Sequence, residues 1–440
     1  MTSKLTRRTW LQGVPAGAAA GFFVSTSAPR AADSPNERLR IAGVGATGRA
    51  GADIAGVASQ DIVAIADVDK QLLEKGAARF PGARKYADFR EMLDREADRI
   101  DAVVVGTPDH THAPASAMAL RLKKHVYCEK PLTHTVYEAR VLAELAREHK
   151  LVTQMGTQIH AGDNYRRVVE LIRDGAIGAV REAHVWASAV YTDGKFTTTT
   201  AAPAHLDWDL WLGPSVKRPY SEGVHPFHWR RFWDYGTGTL GDFGCHYMDL
   251  AHWALDLMHP VRVSASGPPV DAVSTPRYCQ ATYDYPARGE HPPLRLSWYD
   301  SGKQPPQLAE LLKDDPRDQN GKALGTGGGQ LFVGDKGMLL ANYGQRCLLP
   351  KQRFADYKPP EPSIPKSIGH HNEWLHAIKN GGGTTCNFGY SGALTEAVLL
   401  GTVAYRSGQT LEWDARRLKV TNSEQAQTLI HKEYRKGWTL

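Results

Sequence analysis

Between Leu39 and Gly48 the chain reads Leu-Arg-Ile-Ala-Gly-Val-Gly-Ala-Thr-Gly, an apolar strand that runs into Gly43-x-Gly45-x-x-Gly48 and then a helical stretch to about Ser59. Few folds accommodate that order. Glycine at these positions serves a tight turn, close backbone approach to a pyrophosphate, and close packing of helix on strand. The phosphates would then sit at the helix start beside Thr47, where free N–H groups and the helix dipole favour negative charge. A second apolar strand, Ile62–Ala66, ends at Asp67, about 20 residues beyond Gly48. A carboxylate there accepts hydrogen bonds from an adenosine ribose and repels a 2′-phosphate, so the expected cofactor is NAD rather than NADP. Asp69 competes for that role; Asp67 is preferred because it caps the strand.

Three further apolar strands, at Ala102–Gly106, His125–Cys128 and Leu151–Met155, alternate with helical segments at 111–123 and 133–148. That alternation predicts a doubly wound parallel sheet over residues 37–158. Thr107-Pro108-Asp109-His110-Thr111-His112 follows one strand, and Glu129-Lys130-Pro131 the next. Ligands of open α/β sheets bind beyond the carboxyl ends of strands, so both turns are expected to face the reactive end of the cofactor. The Lys130–Pro131 bond is a candidate cis peptide.

The combined pattern resembles the glucose-fructose oxidoreductase, inositol dehydrogenase and MocA family, and the likeness spans nearly all of the chain after residue 32. The resemblance implies an N-terminal Rossmann domain and a C-terminal α/β domain, residues 159–440, built on a large, mainly antiparallel open sheet. It also implies that a helix at about 387–406 packs back near the nucleotide half. The cofactor set expected on this footing is Gly43, Gly45, Thr47, Gly48, Asp67, Thr107, Pro108, His112, Glu129, Lys130 and Gln158.

After Gln158 the segments Arg181–Ala189, Val261–Gly267, Gln280–Tyr285, Leu294–Tyr299, Gln330–Gly334 and Gly337–Ala341 read as short strands separated by turns, which suits an antiparallel sheet. Two long insertions, about 190–235 and 300–328, are expected to be lids or assembly surfaces. The stretch Gly241-Asp242-Phe243-Gly244-Cys245-His246 places Asp242 and His246 one helical turn apart, and Asp249 follows on the same face. In the family, the Asp-x-x-x-His element faces substrate hydroxyls together with the Glu-Lys-Pro lysine, which implies Lys130, Asp242 and His246 as the catalytic group. His246 suits a general base because an unperturbed imidazole titrates near neutral pH. Asp242 would orient it or bind substrate, and Lys130 would donate to the hydroxyl and stabilise the developing alkoxide. The roles of Lys130 and His246 could also be exchanged.

Thr6-Arg7-Arg8-Thr9-Trp10-Leu11-Gln12, the apolar stretch Gly13–Val24 and the small-residue segment to Ala32 resemble a twin-arginine export signal over residues 1–32. The apolar run is too short to span a membrane and is broken by Pro15. The chain is therefore expected outside the cytoplasm, with its cofactor tightly bound. The formal charge is +6, and Lys4, Arg7, Arg8 and Arg30 in the leader supply most of it. No basic cluster marks a nucleic-acid partner. Five scattered cysteines without a Cys-x-x-Cys pair argue against a disulfide scaffold or zinc ribbon. His110/His112, His225/His228 and His370/His371 join no carboxylate or cysteine set at ligand spacing, so no metal is expected. Trp208, Trp211, Trp229 and Trp233 are core or lid residues or faces for a sugar ring. Arg230 and Arg231 bind substrate or flank a loop.

These features point to an NAD-dependent oxidoreductase acting on a small carbohydrate, a sugar or polyol, and expected to be a homo-oligomer. The alternative is a redox-assisted glycoside hydrolase or lyase acting through a transient keto-sugar. Its proton carriers would come from the first insertion, for example His205, Asp207, His225 or His228.

Overall fold

The computed structural model describes residues 38–197 and 201–440; the leader at 1–32 lies outside them. In the first half, β1 (Arg40–Val44), β2 (Asp61–Ala66), β3 (Arg84–Tyr86), β4 (Ala102–Val105), β5 (His125–Cys128) and β6 (Thr153–Met155) form one sheet. Its order is β3-β2-β1-β4-β5-β6 and every pairing is parallel. β4 and β5 are buried throughout, because helices cover both faces, and this explains why β4 is wholly apolar and β5 apolar after His125. The order reverses between β1 and β4, so the turns after these two strands open a crevice at the carboxyl edge. β3 and its flanking helices, Lys70–Ala77 and Phe89–Glu96, go beyond the sequence expectation. β3 is a three-residue edge strand, Arg-Lys-Tyr, whose solvent-facing side chains carry no apolar signal.

The second sheet contains β7 (Val180–Ala187), β8 (Arg262–Ser266), β9 (Gln280–Tyr285), β10 (Leu294–Asp300), β11 (Gly328–Gly334), β12 (Met338–Ala341), β13 (Arg346–Leu349), β14 (Leu411–Asp414) and β15 (Lys419–Val420). Its order is β13-β12-β11-β7-β10-β9-β8-β14-β15. β7 and β10 pair in parallel and the rest antiparallel. β13, β14 and β15 are additions to the expected strands; each has four residues or fewer, too few to show an alternation.

The two insertions behave differently. Residues 300–328 include the helix Leu308–Lys313, whose leucines pack on Trp186, Tyr299, Leu331 and Leu340 of the second sheet. This insertion therefore covers a core and does not form a lid over the crevice. The first insertion crosses to the nucleotide half: Lys70 N donates to His205 O (2.8 Å) and Asp207 N to Val68 O (3.0 Å), beside a bridge between Asp69 and Leu206. The expected helix near 387–406 runs from Phe388 to Ser407. It packs on the helix Val136–Glu148, where Gly392 admits the Ala143 side chain. Arg140 clamps Glu396 with bonds of 2.7 and 2.8 Å. No helix among the described residues is long and apolar enough to cross a membrane.

Candidate active site

A cavity of about 380 Å³ lies along the carboxyl edge of the first sheet, roofed by the first insertion and by Trp438. Its floor is the glycine turn. Gly45 and Gly48 have φ of +93° and +57°, conformations that side chains disfavour. A Cβ on Gly45 would also lie 2.8 Å from Ala50 Cβ. The helix Gly48–Gly56 starts with no side-chain cap, which leaves its first N–H groups available to an anion.

Asp67 lines the cavity and Asp69 does not. Asp67 accepts backbone N–H from Ala46 and Asp69, both at 2.9 Å. Burial still pushes its carboxyl up to about 6, against the lowering effect of those bonds. Asp69 is instead used up structurally. It caps the helix Lys70–Ala77 through Gln71 N and Leu72 N, and it also holds His205 Nδ1 and His225 Nε2 at 3.1 Å each.

Thr107, Pro108 and His112 line the same cavity. The Thr107 hydroxyl is buried with no hydrogen-bond partner in the protein. His112 Nδ1 and Nε2 lie 2.8 and 2.7 Å from the carbonyls of Pro131 and Thr107; burial lowers the ring to about 4.

Glu129 and Lys130 line the cavity too, and the bond after Lys130 is cis. Glu129 receives Arg49 Nε (3.1 Å) and Gln158 Nε2 (2.6 Å). Burial and the nearby Asp53 nonetheless raise its pKa. Two expected cofactor residues stand behind this wall. Gln158 braces Glu129 and Tyr127, with 2.9 Å to the Tyr127 hydroxyl. Gly43 leaves the room that the Ile54 side chain fills. Neither lines the cavity.

Lys130 Nζ lies 2.5 Å from Asp242 Oδ1 and 3.3 Å from Asp242 O, so the two halves meet at this pair. Burial pulls the ammonium down, but Asp242 and then Glu129 more than offset that and hold its pKa above the ordinary value. Asp242 is held below the usual carboxylate range: Lys130 and Arg230 outweigh its burial. His246 follows one turn later on the helix Gly238–Ala254, and Lys130 and Asp242 both act electrostatically on its ring. Here the expectation of an ordinary imidazole fails, because burial, with Lys130 adding to it, drives His246 to about 3. Its Nδ1 is buried without a partner. Asp242 and His246 do not themselves line the main cavity; Lys130 does. Asp249 turns away entirely and bonds His160 Nδ1 (3.0 Å) and the Tyr390 hydroxyl (2.7 Å).

Two site residues carried no strong sequence signal. Asp109 is a buried cavity-lining carboxyl that accepts a 2.8 Å bond from Thr237 Oγ1. Burial, reinforced by Asp242, pushes it up to about 7. Arg230 lines the cavity with Nε 3.6 Å from Asp242 Oδ1. Asp109 belongs to a helix start, where an acid is ordinarily a cap, and Arg230 sits in a single 3-10 turn, His228–Arg231, too short to show a periodicity.

One member of each of two histidine pairs meets a single carboxylate, His225 on Asp69 and His371 Nε2 3.0 Å from Asp53 Oδ1, whereas His110, His112 and His370 bond backbone carbonyls. His160, Asp249 and Cys386 also converge from three elements, with candidate ligand atoms within 4.8 Å. The five cysteines are all free and buried.

Residues 38–157 match the oxidoreductase family model described as an NAD-binding Rossmann fold, and residues 179–289 match the same family's C-terminal alpha/beta domain. An inositol 2-dehydrogenase of Rubrobacter xylanophilus is 35% identical over 150 residues, 33% of this chain and 42% of that protein. A levoglucosan dehydrogenase of Pseudarthrobacter phenanthrenivorans is 26% identical over 195 residues, 43% of this chain and 41% of that protein. The chain thus spans less than half the length of these curated relatives. The solved structure of GenD2 from gentamicin A biosynthesis, in complex with NAD, shares the fold with a TM-score of 0.57 at 19% identity, covering 92% of this chain and all of that one. Through both of its domains, the chain belongs to the glucose-fructose oxidoreductase, inositol dehydrogenase and MocA family of oxidoreductases.

Proposed function

We propose that the protein is an NAD-dependent oxidoreductase that oxidises a sugar or polyol hydroxyl and keeps its cofactor bound. The observation that carries this reading is the Lys130–Asp242 pair, which joins the two halves beside a glycine-floored cavity. The residues fit a dinucleotide: the bare glycine turn, the free helix start, the Asp67 carboxylate and the orphaned Thr107 hydroxyl would hold it. When bound, nicotinamide supplies a hydride acceptor.

Asp242 keeps Lys130 protonated, so Lys130 serves as donor to the substrate oxygen and steadies the negative charge developing there. That makes Lys130 a poor base, and the exchanged assignment of roles loses its support. His246, neutral at physiological pH, is positioned one turn from Asp242 to accept the hydroxyl proton. Burial that lowers its ring to about 3 makes it a weak base, so its role depends on substrate and cofactor changing that setting. Asp109, which titrates near neutrality, serves as the cavity's proton reservoir. Of the candidate proton carriers of a glycosidase, only His225 lines the cavity, and it is paired with Asp69. His205 and His225 bind Asp69, Asp207 caps the helix Trp208–Leu212, and His228 is exposed. The oxidoreductase reading is therefore the better supported.

Export through the 1–32 leader belongs to the same proposal. A cofactor that cannot be exchanged outside the cytoplasm must be retained and reset by a second carbonyl substrate. The test is to denature purified protein and assay the released dinucleotide, then follow reduced-nicotinamide absorbance with sugars and polyols. Lys130→Ala should lower turnover at least ~100-fold while leaving the nucleotide in place. Unchanged turnover would remove Lys130 from the chemistry.

A further inference from the structure

Arg230 is unusually placed for a guanidinium. Its only hydrogen bond among the described residues is a long one, Nη1 to Phe227 O at 3.4 Å. Its Nε is shielded from solvent with no hydrogen-bond partner, since Asp242 Oδ1 at 3.6 Å is too far for a bond. The group lies 4.1 Å from the Trp229 ring centre, 4.8 Å from Phe227 and 5.9 Å from Tyr191. Aromatic faces steady a cation but take up none of its N–H groups. The backbone is fixed as well: a Cβ on Gly236 would lie 2.7 Å from Arg230 Cα, so that glycine is what lets the chain close in. A planar donor fork with most of its hydrogen-bonding capacity unused therefore stands in the wall of the cavity.

The surrounding charge has a sign. Lys130 and Arg230 share one low-pKa carboxylate, Asp242. Burial keeps His112 and His246 neutral, and Asp109 keeps part of its proton at pH 7. Of the other acids in the wall, Glu129 is paired with Arg49 and has its pKa raised by burial, and Asp67 and Asp88 lie by the second and third strands. The Lys130 end thus sets two cations against one low-pKa carboxylate in contact, Asp242. A carboxylate matches a guanidinium fork with two parallel bonds.

We infer that Arg230 is a substrate-binding residue and that the substrate is an acidic sugar, carrying a carboxylate on the same ring as the hydroxyl that faces Lys130. This rests on the oxidoreductase reading and narrows it to a substrate class. A sugar phosphate presents a related anion, and the experiment separates the two.

The experiment is calorimetric titration of the NAD-loaded protein with D-glucuronate, D-galacturonate and D-mannuronate, each paired with its neutral parent hexose, and with D-glucose 6-phosphate. At least one uronate should bind ~10-fold or more tightly than its parent, as expected for hydrogen bonds to a charged group. In Arg230→Gln that preference should fall to within about 2-fold, while Arg230→Lys should keep part of it. The dinucleotide released on denaturing the same samples, together with their thermal unfolding, reports the folding of both variants. The inference is overturned if no uronate outbinds its parent, if the preference survives in Arg230→Gln, or if glucose 6-phosphate outbinds every uronate. Absence of a released dinucleotide would instead sink the oxidoreductase reading itself, and the denaturation assay reads that separately.

Discussion

Replacing Asp242 by Asn leaves the Lys130 ammonium in place without its counter-charge. The two side chains are 11% and 5% exposed, so water offers little compensation. Breaking such a buried pair by removing one partner costs about 3–5 kcal/mol. The pH dependence follows from the direction of each shift. Lys130, held above the ordinary lysine value, adds stability that is complete below about pH 10.4 and is lost as pH rises through its folded value. Asp242, held below the ordinary carboxylate value, adds stability above about pH 3.9 that is lost on acidification. In the Asp242→Asn variant, burial acts on Lys130 opposed only by Glu129, and the amine sheds its proton at lower pH. The cost of the substitution should therefore narrow between about pH 7 and about pH 10. Urea unfolding reads this directly: with an m of about 3 kcal/mol/M, the midpoint should fall by about 1–1.7 M at neutral pH. The double variant Lys130→Met/Asp242→Leu should recover most of the loss, since it leaves no charge unpaired. A midpoint within about 0.3 M of wild type at neutral pH, or a gap that widens in alkali, would refute the argument.

Asp67 and Asp109 have raised pKa values, about 6 and about 7, so the folded state holds protons that the unfolded chain releases. Stability should decline as pH rises from about 4 to about 7, Asp109 contributing up to about 4 kcal/mol. Asp109→Asn should flatten that decline in urea midpoints measured across the range; an unchanged slope would count against it. Gly156 faces the Glu129 carboxyl so closely that a Cβ would overlap Oε1. Gly156→Ala should cost about 1–3 kcal/mol and weaken NAD binding by displacing Glu129, as NAD titration and thermal unfolding would report.

Much of this molecule is readable from its residues, and the failures have physical causes. Gly45, Gly48 and Asp67 announce themselves because a phosphate-binding turn tolerates little else. β1, β4 and β5 are legible because burial on both faces leaves them apolar apart from Arg40 and His125 at the starts of β1 and β5. β3, by contrast, is an exposed edge with no such pattern. The Lys130–Asp242 contact joins residues 112 positions apart, which only the family likeness could pair. Asp69 reads as a rival for the ribose, and its real work depends on His205 and His225, 136 and 156 residues on. Spacing within one element says nothing about such partners. The neutrality of His246 is equally invisible, since it follows from how deeply its helix is packed and not from its neighbours in sequence.

The helix Phe388–Ser407 bears on how the protein works as a machine. Seated against Ala143 and tied by Arg140 to Glu396, it stitches the second lobe to the first and adds a second tie to that made by Lys130 and Asp242. The limb that arches over the crevice is held to the nucleotide lobe by two histidines on the Asp69 carboxylate and by the His110 ring between the carbonyls of Trp211 and Tyr235, so an opening of that limb for small molecules has to release both sets of bonds.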